Sequence, residues 1–112
     1  MKIGEMKMAK VLVVIVSKED EKINLAFNFA KRQSEAGHDI RVILFGPSES
    51  TVAGSEEFLK EFGELGAIKP KACVYIAKSA SIEDKLSKDF ELLHAGGYIT
   101  KSMEEGYGTI TF

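Results

Sequence analysis

Val11-Leu12-Val13-Val14-Ile15-Val16 places six apolar residues in a row, five of them β-branched. A strand with one wet face alternates apolar and polar residues. This run does not alternate, so both of its faces have to be covered. A parallel sheet held between helices meets that demand. At six residues the run is strand-sized, far short of the roughly 20 apolar residues of a membrane span.

The rest of the chain reads in the same terms. Polar Ser17 to Asp20 ends the first strand, and a helix is predicted from about Glu21 to Ala36. Its residues Ile23, Ala26, Phe27 and Ala30 recur at three-and-four spacing on one face, and Gly37 ends it in a left-handed conformation. Ile40 to Phe45 is the second strand. Gly46-Pro47 stops it, because proline has no N–H for a ladder. A second helix runs from the capping residues Ser48 to Thr51 as far as Leu65, with Phe58, Leu59, Phe62 and Leu65 facing the core and Gly66 closing it. Ala72 to Ala77 is the third strand. Ser81 to Leu86 reads as a short helix capped by Ser81, Lys88 to Gly97 as a loop, Tyr98 to Glu105 as a helix ended by Gly106, and Thr109 to Phe112 as a last short strand. Strands alternating with helices imply parallel pairing through right-handed crossovers. The expected fold is a three-layer α/β/α sandwich on a mostly parallel sheet of four to five strands.

A length of 112 residues fits one domain, 1–112, with residues 1–9 as a short leader. The formal net charge of −2 supplies neither the basic footprint of a nucleic-acid binder nor a polybasic membrane patch, so neither partner is expected. The leader lacks the apolar core and cleavage site of a signal peptide. Cys73 is the only cysteine, which rules out an intrachain disulfide and agrees with a reducing, cytoplasmic setting. One cysteine and two distant histidines, His38 and His94, make no zinc site. Neither GxGxxG nor GxxxxGK[ST] occurs. No metal and no cofactor is expected.

Candidate site residues follow from the sheet. Open parallel sheets bind ligands beyond the carboxyl ends of their strands. Those ends are Ser17-Lys18, Gly46-Pro47-Ser48 and Ala77-Lys78-Ser79. The hydroxyls of Ser17, Ser48 and Ser79, the Gly46 turn and the amines of Lys18 and Lys78 suit a small anion. The competing reading makes Ser17, Ser48 and Ser81 helix caps. Cys73 is the one soft nucleophile. Near the start of an apolar strand, however, a lone cysteine reads as a small buried hydrophobe. His94 reaches the strand ends only if its loop folds over them, and otherwise reads as a solvated loop histidine. His38 reads as a turn residue, and Glu56, Glu57, Lys60, Glu61 and Glu64 as a solvated helix face.

Several segments together carry a family resemblance. The first strand leads through a polar turn into Asn24-Leu25-Ala26-Phe27-Asn28-Phe29-Ala30. Val42-Ile43-Leu44-Phe45-Gly46-Pro47-Ser48 is a strand followed by FGP. Phe58 to Gly66 is a helix and glycine preceding an Ala-Cys-bearing strand, and Tyr107 to Phe112 looks like a closing strand. From about Val11 to the end, the chain resembles the DsrE/DsrF-like family, which includes the TusD-type sulfur-relay proteins. The match rests on order and spacing. It implies an α/β/α homo-oligomer, trimeric or hexameric, with a sulfur-carrier protein as partner. It also implies a cysteine at or near the end of the third strand that carries sulfur as a persulfide. Cys73 matches that cysteine by its Ala-Cys context. Matched by strand end, Ile76 or Ala77 takes its place and the sulfur-carrying group is missing. The alternative function is then a non-catalytic binding or assembly subunit.

Overall fold

The β-branched run forms β1 (Lys10–Ile15), which lies inside the sheet between β2 (Asp39–Leu44) and β5 (Gly108–Thr111). The computed structural model describes residues 8–112. Five strands form one sheet in the order β4-β3-β2-β1-β5, with β3 at Lys71–Cys73 and β4 at Glu91–Leu93. Every pairing is parallel. Among the described residues six helices accompany them: α1 (Asp20–Glu35), α2 (Ser48–Ala53), α3 (Glu56–Gly63), α4 (Val74–Ser79), α5 (Glu83–Leu86) and α6 (Ala95–Glu104).

Alternation along the strands sends side chains to two apolar layers. Val13, Ile15, Val42, Leu44 and Ala72 face a large cluster with Ile23, Phe27, Phe58, Phe62, Leu86 and Phe90. Phe62 is at its centre, edge-on to Phe27 at 5.2 Å and tilted on Phe90 at 5.5 Å. Leu12, Val14, Ile43 and Cys73 face the other way, into a smaller cluster with Ala95 and Tyr107. Helices α1, α2, α3 and α5 supply the first layer and α6 the second, while α4 sends Ala77 to the first and Ile76 to the second. The chain is therefore α/β, with an all-parallel sheet between helical layers.

Three predicted segments need correction. The single helix expected up to Leu65 is two helices. Gly54 ends α2, and Ser55 turns extended and accepts the Phe58 N–H on its side chain at 3.1 Å, which caps α3. The third strand is not Ala72 to Ala77. It stops at Cys73, because the pairing of β2 with β3 ends at Leu44↔Ala72, and residues beyond have no strand to join on that side. Val74 to Ser79 instead wind into α4, which buries Ala77 completely. The stretch from Lys88 to Gly97 is not a loop, since it holds β4 and the start of α6. Ser81 does not cap α5. It leaves α4 with φ +57, and Ile82 takes the cap position.

Most of the expected leader falls on residues 1–7, outside the described residues. Of the rest, Ala9 donates its N–H to His38 Nδ1 at 3.0 Å, so His38 receives the incoming chain. No helix among the described residues is long and apolar enough to cross a membrane.

Candidate functional site

The shortened β3 changes where the cysteine lies. Cys73 is the last residue of the strand, at the carboxyl edge of the sheet, and it directly precedes α4. The two ways of matching the resemblance, by Ala-Cys context and by strand end, now fall on the same residue. The residue is nevertheless covered, at 4% exposure.

Sequence reasoning missed the group that stands beside it. β2 turns away at Gly46, so the Cys73 N–H meets a carboxylate instead of a strand carbonyl: Glu49 Oε2 accepts it at 3.2 Å. Glu49 is fully buried on α2, and its Oε1 has no hydrogen-bond partner. Burial pushes this carboxyl up from 4.5 to about 7, against the opposing pull of the Cys73 and Gly46 amides. The result is a carboxyl that changes charge near neutral pH, touching the backbone of the one cysteine. In the sequence Glu49 is an acid among serines in a polar turn, which carries no sign of burial.

The turn that aims Glu49 explains two predicted residues. Gly46 has φ +105, and a Cβ there would sit 3.3 Å from Val16 Cγ1, so the position demands glycine. Ser48 is buried, and its Oγ donates to the Ile15 carbonyl at 2.6 Å. It is neither a cap nor a free ligand group. It ties α2 to the end of β1.

The remaining predicted residues divide. His94 is brought to the edge. It follows Leu93, the β4 partner of Cys73, and its ring lies 5.2 Å from that of Tyr75. Ser17 accepts the Glu19 N–H at 3.1 Å, a local turn and not a cap of α1. Lys18 is exposed, and its carbonyl receives Thr51 Oγ1 at 2.8 Å. Lys78 and Ser79 do not end a strand. They lie exposed on α4, where Ser79 joins Tyr75, Ile76 and Ala80 in an open, mostly apolar cleft of about 460 Å³. The expected anion cradle of hydroxyls and lysines does not assemble at this edge. Among the described residues, no cluster of three metal-ligating side chains occurs.

A second cleft, of about 500 Å³, opens at the opposite, amino edge of the strands, away from Cys73. Arg41 stacks over the Tyr107 ring at 4.1 Å, and its Nη1 donates to Ser102 Oγ at 2.9 Å and Glu105 Oε1 at 2.8 Å. The Tyr107 hydroxyl donates to Asp39 at 2.6 Å.

No protein-family model matches the chain, and no curated protein does either. Among solved structures it is similar to a conserved protein of unknown function from Bacteroides thetaiotaomicron. That similarity has 19% identity and a TM-score of 0.76, and covers 90% of this chain and 94% of the other. At that identity the likeness concerns the fold.

Proposed function

We propose that this chain is a DsrE/DsrF-like protein that carries sulfur on Cys73 as a persulfide and passes it to a partner thiol. The observation that carries the reading is the place of Cys73, at the carboxyl end of β3 and next in line to α4. Ligands of parallel sheets meet the protein at that edge, and the cysteine of the family pattern belongs there. In the transfer, the Cys73 thiolate attacks the outer sulfur of a donor persulfide. A new S–S bond forms at Cys73, the donor S–S bond breaks, and the donor leaves as its thiolate. The sulfane sulfur moves without net oxidation. Because the thiol has to stay free, the reading places the protein in the cytoplasm. The exposed apolar side chains Tyr75, at 67%, and Phe45, at 38%, fit a protein surface that meets a sulfur carrier or further copies of the chain.

Native mass spectrometry after incubation with a persulfide donor tests this directly. The expected result is one added sulfur per chain, lost in Cys73→Ala, on a homo-oligomer. An unmodified chain would refute sulfur carriage, and a monomer at micromolar concentration would refute the assembly.

The burial of Cys73 favours a second reading, a binding or assembly subunit in which the cysteine only fills the α6 side of the core. Under that reading Cys73→Ala keeps the fold and the assembly, and the donor adds nothing.

A further inference from the structure

We propose that the cleft at the amino edge of the strands is a binding site for a small polyanion, a metabolite with phosphate or carboxylate groups at two positions. The cleft is bounded by the start of β2, the segment leading into β3 and the last turns of α6. Its volume of about 500 Å³ is that of a small-ligand site.

The charge around it leans positive. Arg41, Lys69, Lys71 and Lys101 line it with the carboxylates Asp39 and Glu105, and Glu91 reaches Lys71 from β4. Both carboxylates are already engaged, Asp39 by the Tyr107 hydroxyl and Glu105 by Arg41. Lys71 is held by Glu91 at 2.6 Å. Lys69 and Lys101 form no salt bridge among the described residues, although Lys69 stands near enough to Glu91 to help Lys71 hold that carboxyl below its ordinary range. Lys69 precedes β3 and Lys101 lies on α6, so the two amines come to the cleft from different elements, which suits a ligand with two anionic groups.

Arg41 completes the site. Its two hydrogen bonds both leave from Nη1, so the other nitrogens of the guanidinium fork remain for a ligand. The fork is fixed in advance by stacking on Tyr107 and by packing near Tyr98, 5.7 Å from the ring centre. One fixed guanidinium and two exposed amines in a bounded cleft lined by Tyr98 and Tyr107 favour a compact polyanion over a long nucleic acid, which the net charge of −2 repels. This inference is independent of sulfur carriage at Cys73, which lies at the other edge.

Inorganic pyrophosphate and citrate serve as probes. The chain has no tryptophan and three tyrosines, two of which line the cleft, so tyrosine emission reports on it. The expected result is a saturable emission change for at least one probe, weakened by added salt, with amide shifts in NMR at Arg41, Lys69 and Lys101. In the Lys69→Ala/Lys101→Ala variant the Kd rises at least tenfold. These side chains are exposed, and circular dichroism checks that the variant folds; Lys101→Glu alone serves as the second variant. No saturable response to either probe up to millimolar concentration overturns the proposal. So does an unchanged Kd in both variants, or a shift map centred elsewhere.

Discussion

Glu49 makes a prediction at the scale of one residue. It ionises at about 7 in the fold and near 4.5 in the unfolded chain. Between those values the folded chain keeps a proton that the unfolded chain has released. Stability therefore falls as pH rises from 4.5 to 7 and levels off above that. A shift of this size corresponds to up to about 3 kcal/mol. In Glu49→Met an apolar side chain of similar length replaces the buried acid, and this slope disappears. Urea unfolding midpoints at about pH 5 and about pH 8 check it. The wild type loses stability between the two relative to the variant, and parallel behaviour of both proteins would contradict the assignment.

At the scale of elements, the sequence is legible where a segment is long and its pattern has one solution. β1, β2 and α1 lie within a residue or so of their expected bounds, since a β-branched run and a three-and-four repeat admit no other reading. Val74-Tyr75-Ile76 misleads, because β-branched and aromatic residues favour a strand only where a neighbouring strand exists. Here Gly46-Pro47 has already taken β2 out of the sheet, a fact encoded some 25 residues away. β4, at three residues, is too short for a period to show. Of the candidate site, Gly46 and Ser48 were legible as residues of the carboxyl edge, and His94 only on condition that its segment folds over it; Cys73 reads as an early residue of a longer strand, because nothing local shows that β3 stops there. Glu49 was not legible, since burial of an acid is decided by tertiary packing. The break between α2 and α3 was readable in Gly54-Ser55. It predicts that Ser55→Ala, which removes the side chain capping Phe58 N–H, costs about 1 kcal/mol in denaturant unfolding. A change below a few tenths of that would show the cap to be idle.

At the scale of the whole molecule, β5 is the last of the described strands and yet the neighbour of β1. Val11 pairs with Gly108, Val14 pairs with Thr111, and the ladder runs on through Phe112, whose N–H reaches the Val14 carbonyl at 2.9 Å and whose carbonyl accepts the Val16 N–H at 2.8 Å. α6 brings the chain across the sheet from β4 to reach that position. Removal of residues 108–112 therefore uncovers the flank of the most apolar strand. The expected outcome is a truncated protein that elutes as aggregate in size-exclusion chromatography, while a well-behaved truncated form would show β5 to be dispensable.

The same arrangement sets an order of events during synthesis. On the ribosome, β1, α1 and β2 emerge together and pair at short sequence separation, the kind of contact that forms first. The second flank of β1 stays open until residues 108–112 have left the exit tunnel, long after β1 itself. A nascent chain of this fold thus carries a bare, uncharged strand flank while α1 to α6 are being made, open to mispairing or to chaperone capture until β5 docks.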